Sequence, residues 1–209
     1  MTRVKICGIK ELETIRAINN LNIDGVGLVF AKSKREISLE RARILTDALR
    51  SGIERIGVFV NEDINRINYL VNALKLDFVQ LHGDEDASYI SKVNCRVMKA
   101  FSINEESDLI KIDDFKNVQR ILLDAKCEVY RGGEGKAFDW NVLRGLKREH
   151  RDKLVLAGGL NSTNVRDAIK LVNPYMVDVS SGVEINNTKS ICLIENFIEK
   201  VKGDKNGRV

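Results

Sequence analysis

The chain has 209 residues, 44% hydrophobic and 31% charged, which suits one sizeable globular core and is short for two full domains. Its 34 basic and 30 acidic residues leave a dispersed net charge of only +4, which argues against a nucleic-acid surface. No apolar run approaches the ~18 residues of a membrane span. Arg3, Lys5, Lys10 and Glu11 interrupt any leader-like run near the N-terminus, so no membrane partner and a cytoplasmic location are expected.

Strand-type runs alternate with helix-period segments along the whole chain. The runs are RVKICGI (3–9), GVGLVF (25–30), RIGVFV (55–60), FVQLHG (78–83), RVMKAFSI (96–103), RILLDAK (120–126), LVLAGG (154–159) and MVDVSSGV (176–183). Between them lie ELETIRAINNL, LERARILTDALR, EDINRINYLVNAL and STNVRDAIKLV, with apolar residues three and four apart. Ser162 or Asn161 is the predicted N-cap of the last of these, and KSICLIENFIEKVK closes an eighth strand–helix unit. The alternation predicts a parallel sheet with right-handed crossovers. Eight units predict a single-domain α/β fold, a (β/α)8 TIM barrel over residues 1–203, with residues 204–209 as a frayed tail. A doubly wound open sheet is the competitor, but no strand is followed by its GxGxxG turn.

Such barrels carry their active sites at the C-terminal ends of the strands. Those ends read Cys7-Gly8, Phe30 with KSKR, Asn61, His82-Gly83, Phe101, Asp124, Gly158-Gly159 and Ser180-Ser181-Gly182, so reactive types gather at one rim. The turns LAGGLNSTNV and VSSGVE let backbone approach an anion closely, and their place after the last two strands suits a phosphate. GGEG in YRGGEGKAFDW is a weaker signal of the same kind. Cys7, Cys95, Cys127 and Cys192 form no CxxC pair, and only His82 and His150 could join them, so free thiols and no metal site are expected.

Strand alternation puts Lys5 and Cys7 on one face of the first strand, and Asp178 and Ser180 on one face of the last. Closure makes those strands neighbours and predicts a Lys5–Asp178 ion pair inside the barrel, since a buried lysine needs a partner. The nearby ammonium is then expected to lower the Cys7 thiol toward the working range.

The segments VKICGIK, KSKR, VFVNE, VQLHGDE, ILLDA, GGEGKAFDW, LAGGLNSTNV and VDVSSGVE, in this order, resemble the phosphoribosylanthranilate isomerase family of tryptophan biosynthesis over nearly the whole chain. The resemblance implies an Amadori rearrangement of a phosphorylated aminoaldose to an aminoketose, with no cofactor or metal. It implies Cys7 as general base and Asp124 as general acid, and Arg35 of KSKR as the group that holds the anthranilate carboxylate. His82 suits either substrate contact or a structural hydrogen bond, and Lys32 and Lys34 read as solvated loop charges. The remaining expected substrate contacts are Gly133, Gly135, Gly158, Gly159, Asp178, Ser180, Ser181 and Gly182. Glu134 stands where most members have Ser or Thr, and is expected to point away from a phosphate. FAKSKR also lacks a proline often found after that aromatic residue. An epimerase on this fold would want more histidines at the rim, and the histidine-pathway aminoaldose isomerase an aspartate at position 7. A non-catalytic phosphate or nucleic-acid binder would want exposed aromatics, which make up only 6% of the chain. The oligomer is expected to be a monomer or a homodimer.

Overall fold

The computed structural model describes residues 1–125 and 140–203. Eight parallel strands hydrogen-bond in sequence order: β1 (Arg3–Cys7), β2 (Gly25–Val29), β3 (Glu54–Phe59), β4 (Phe78–Leu81), β5 (Arg96–Ile103), β6 (Arg120–Ala125), β7 (Leu154–Ala157) and β8 (Met176–Val179). The last strand pairs with the first, so the sheet is a closed (β/α)8 barrel and not an open doubly wound one. Several strands stop short of their apolar runs. Gly8, Gly158 and Gly159 take φ of +79°, +85° and +63°, which ends the ladder and turns the following residues over the mouth.

The helical layer is uneven. α1 (Leu12–Ile18), α2 (Leu39–Ala48) and α3 (Ile64–Leu74) follow the first three strands, but α4 (Ala87–Ile90) is a single turn. A 3₁₀ segment, Glu106–Phe115, follows β5. Its apolar residues Leu109, Ile112 and Phe115 are spaced by three, the 3₁₀ repeat, and Asp108 reaches back to complete a capping box at Glu105. Trp140–Gly145 is also 3₁₀ and precedes the one-turn α5 (Arg148–Arg151), before α6 (Val165–Val172) and α7 (Ile191–Lys202) complete the ring. Helix α6 starts later than Asn161 or Ser162 would have it, with Asn164 at its N-cap. The Asn161 side chain instead accepts the Thr163 amide at 2.8 Å, a local turn that keeps these residues out of the helix. Among the described residues no helix is long and apolar enough to cross a membrane.

Outward residues such as Val4, Ile6, Val26, Leu28 and Phe59 pack under the helices, and Phe30 stacks on Phe59 with centroids 5.2 Å apart. Inward residues fill the barrel in its middle: Ile56, Phe78, Met98, Leu122, Val155 and Met176. The N-terminal end is closed by a charged plug. Arg120 forks onto Glu54 at 2.6 and 2.8 Å and lies 3.9 Å over the Phe78 ring, while Arg3 donates to Glu54 at 3.2 Å and to the Tyr175 hydroxyl at 2.6 Å.

At the other end, Gly27 of β2 stands in register with Cys7 and leaves it room. A Cβ on Gly27 would come within 2.6 Å of the Cys7 sulfur. Lys5 is fully buried, in register with Asp178 across the β1–β8 seam, and its Nζ lies 2.9 Å from Asp178 Oδ2, as alternation and closure predict. Burial alone would push the Lys5 ammonium down, but the Asp178 carboxylate and the Cys7 sulfur outweigh it and hold Lys5 above the ordinary lysine range.

Removing one member of such a pair strands a buried charge. Lys5→Met and Asp178→Leu should each cost about 3–5 kcal/mol in urea unfolding, and the double variant clearly less than the sum. Single variants within about 0.5 kcal/mol of wild type would show that the seam does not depend on the pair.

Candidate active site

A cavity of about 290 Å³ opens at the C-terminal mouth of the barrel, and Cys7, Arg35, His82 and Asp124 all border it. Gly158, Gly159, Asp178, Ser180 and Ser181 line the same cavity. Gly182 does not; it lies under the β7 loop, where an added Cβ would sit 1.9 Å from the Leu160 carbonyl oxygen. Gly133, Gly135, Glu134 and Cys127 lie outside the described residues, as does the tail 204–209.

Cys7 ends β1 with 8% of its surface exposed. Burial pushes its thiol above the ordinary range, and the lowering pull of Lys5 is too weak to reverse this, with Asp178 adding to the rise. The expected depression is therefore corrected: a site dry enough to bury the ammonium also penalises the thiolate. Asp178 turns Oδ2 to Lys5 and keeps Oδ1 buried without a hydrogen-bond partner.

Asp124 ends β6, three strands from Cys7 by way of β7 and β8. His82 lies beside it, with Nε2 3.3 Å from Asp124 Oδ2, and Gln80 places its amide nitrogen 3.2 Å from His82 Nδ1. An amide N–H donated to Nδ1 leaves the imidazole proton on Nε2, facing the carboxylate. Gln80 also lines the cavity and escaped the sequence reading. Its signal was available: a buried glutamine in the apolar FVQL, two residues before His82 and so on the same face.

The loop after His82 is braced from below. Glu85 accepts the Asn61 and Gly83 amides at 2.8 and 3.0 Å, and the buried Lys99 ammonium lies 3.0 Å from it. A Cβ at Gly83 would come within 2.3 Å of the Asn61 side-chain oxygen, so only glycine fits there. Sequence alone gave no sign of this brace, because Lys99 leaves β5 on the helix side and reaches the loop only in three dimensions.

Arg35 comes from the β2–α2 loop and runs across Gly8, where a Cβ would meet its Cδ at 2.4 Å. Its Nε and Nη2 donate to Glu184 at 2.7 and 2.8 Å. Glu184 opens a hairpin of β9 (Glu184–Ile185) and β10 (Thr188–Lys189), turned by Asn186 and Asn187 at φ +50° and +63°. The Asn-Asn pair was its only sequence signal. Lys189 is buried and donates to Glu184 at 2.7 Å and to the Ser180 carbonyl at 3.0 Å. Burial would raise the Glu184 carboxyl, but Arg35 and Lys189 pull it down to about 2. Lys34 is half exposed, as expected of a loop charge, and donates to Asn187 of the same hairpin.

Among the described residues, Asp113, Glu149 and His150 bring possible metal-ligand atoms together. They lie away from this cavity, and Lys147 already pairs with Asp113. Cys7, Cys95 and Cys192 are free thiols.

The two glycine rims differ in what they tolerate. Gly159→Ala places its methyl in open space and should cost about 1–2 kcal/mol for the left-handed backbone. Gly182→Ala drives a methyl into backbone and should cost more, with a larger fall in Tm. Equal losses would contradict this packing.

Residues 4–200 match the family described as N-(5'-phosphoribosyl)anthranilate (PRA) isomerase. The N-(5'-phosphoribosyl)anthranilate isomerase of Caldanaerobacter subterraneus subsp. tengcongensis is 47% identical over 204 residues, covering 97% of this chain and 99% of its own. The crystal structure of phosphoribosyl anthranilate isomerase from Thermotoga maritima superposes with a TM-score of 0.86 at 42% identity, over 97% of this chain and 100% of its own. A second crystal structure of such an isomerase, in complex with reduced 1-(o-carboxyphenylamino)-1-deoxyribulose 5-phosphate, gives a TM-score of 0.83 at 39% identity, over 97% and 100%. With likeness of this extent in both sequence and barrel, the chain belongs to the N-(5'-phosphoribosyl)anthranilate isomerase family.

Proposed function

We propose that this protein catalyses the Amadori rearrangement of N-(5-phosphoribosyl)anthranilate to 1-(2-carboxyphenylamino)-1-deoxyribulose 5-phosphate in tryptophan biosynthesis. It does so as a one-domain cytoplasmic enzyme, monomeric or homodimeric, by general acid–base chemistry without metal or cofactor. The observation that carries the reading is the placement of Cys7 and Asp124 on different strands around one cavity large enough for a sugar phosphate. That a relative is in complex with a reduced product analogue supports the choice of substrate.

Asp124 gives its proton to the furanose ring oxygen, the C1'–O bond breaks, and an iminium forms at C1'. The Cys7 thiolate removes the C2' proton, giving an enolamine that tautomerises to the ketone. Asp124 is left as a carboxylate that accepts from His82 Nε2, which steadies the charge between steps. The phosphate lies on the bare backbone of Gly158 and Gly159 and on Ser180 and Ser181, with the amides of Gly133 and Gly135 as further donors. Gly182 serves this rim by packing rather than by contact. Arg35 holds the anthranilate carboxylate, and the free oxygen of Asp178 accepts a substrate hydroxyl or N–H.

Cys7→Ser and Asp124→Asn should each lose at least ~10²-fold in kcat while still binding product, followed by the fluorescence change on substrate loss. Arg35→Ala should weaken binding by about 1.5–3 kcal/mol, with lysine restoring only part. Because the Cys7 thiol is raised, kcat/KM should climb with pH through the neutral range. Lys5→Met, which removes a lowering influence, should move that climb to higher pH. Full activity in Cys7→Ser would overturn the mechanism.

A further inference from the structure

We infer that Glu184 is a positioning residue that dictates which edge of the Arg35 guanidinium meets the substrate, and thereby sets selectivity for a carboxylate on the aryl ring. The inference rests on the reading of Arg35 given above and deepens it. A guanidinium offers five N–H donors in one plane, so it presents two edges, each able to hold a carboxylate by two parallel bonds. Glu184 already occupies the Nε–Nη2 edge, at 2.7 and 2.8 Å. The edge left for a ligand is the Nη1–Nη2 end.

Three observations make this a built arrangement rather than a surface ion pair. The Glu184 side chain is only 6% exposed, far from the solvated pairs that contribute little. Its carboxylate is held from the other side by Lys189, whose side chain is 1% exposed and is itself anchored on the Ser180 carbonyl. Ser180 in turn donates from Oγ to the Cys7 carbonyl at 3.0 Å. A continuous run of hydrogen bonds thus leads from Arg35 through Glu184, Lys189 and Ser180 to the backbone of Cys7.

The charges support the same conclusion. Arg35 and Lys189 share one carboxylate, and the Lys34 ammonium lies 3.9 Å from it, so the cluster keeps a net positive charge for an incoming anion. Without Glu184 these cations would repel, and the long Arg35 side chain would sample many rotamers before each binding event. With it, the order of the guanidinium is established before substrate arrives, which is how preorganised groups gain affinity.

The test compares wild type, Glu184→Gln, Glu184→Ala, Arg35→Ala and the Arg35→Ala/Glu184→Ala pair in turnover and in binding. Two probes are used: the reduced N-(2-carboxyphenyl) product analogue, and its N-phenyl counterpart without the carboxylate. Glu184→Ala should raise KM about tenfold and erase most of the preference for the carboxylated probe, with N-phenyl affinity and kcat changed less than about threefold. Glu184→Gln, which keeps one acceptor oxygen, should lose less, and in the Arg35→Ala background Glu184→Ala should remove no further selectivity. Should Glu184→Ala fold poorly, the glutamine variant carries the same comparison. Wild-type selectivity in Glu184→Gln and Glu184→Ala, with selectivity lost in Arg35→Ala, would overturn the inference and leave the Arg35 reading standing. Selectivity retained in Arg35→Ala would overturn that reading and the inference with it. Equal weakening of both probes by Glu184→Ala would assign Glu184 to general stability and also overturn the inference.

Discussion

The seam where β8 closes onto β1 depends on one buried contact, Lys5 with Asp178, in register and 2.9 Å apart. Burying two charges is costly, and an apolar pair would often hold a core as well. The pair contributes register. A slip of one residue in β1 would turn Lys5 and Cys7 toward the helices, away from the Asp178 carboxylate. The same slip in β8 would turn Asp178 and Ser180 away from the cavity. The closure of the barrel and the placing of Cys7 at its mouth are therefore one structural decision, made at a single pair.

The two ends of the barrel divide the labour. At the N-terminal end, Arg120 lies against Phe78 and forks onto Glu54, with Arg3 bridging to Tyr175, so cations, carboxylate and aromatic faces close the interior. At the C-terminal end the bulk is removed. Gly27 faces the barrel in register with Cys7, and Gly158 and Gly159 leave bare backbone where the strand ladder stops. Charged pairs there brace the loops of the mouth: Glu85 with Lys99 beside His82, and Glu184 with Lys189 beside Arg35. The first arrangement seals, and the second leaves a cavity whose walls are fixed from outside.

Much of this was legible in the sequence because two short-range rules suffice for it. Alternation of β-type runs with helical periods gives the parallel barrel, and strand parity with closure gives the Lys5–Asp178 pair. The rim residues followed from the rule that these barrels work at their strand ends, and Cys7, Arg35, His82 and Asp124 share one cavity. What stayed hidden depended on competition between effects or on distance along the chain. The direction of the Cys7 thiol is a contest between burial and a neighbouring ammonium, and its winner depends on how dry the site is. The partners of Arg35 are 149 residues away in a two-residue-strand hairpin too short for any periodic signal. Segment 106–115 carries its apolar residues three apart, a pattern that helix-period reading blurs with an α-helix.

In the proposed reaction Cys7 takes the C2' proton and Asp124 opens the ring, two steps on two strands of one mouth. Deuterium at C2' of the substrate separates them most directly, measured as a kinetic isotope effect on single-turnover rate in wild type, Cys7→Ser and Asp124→Asn. Slowing proton removal makes that step limiting, so Cys7→Ser should express a larger isotope effect than wild type. Slowing ring opening hides it, so Asp124→Asn should express a smaller one. The reverse pattern, with the isotope effect growing in Asp124→Asn and vanishing in Cys7→Ser, would contradict the assignment of both residues.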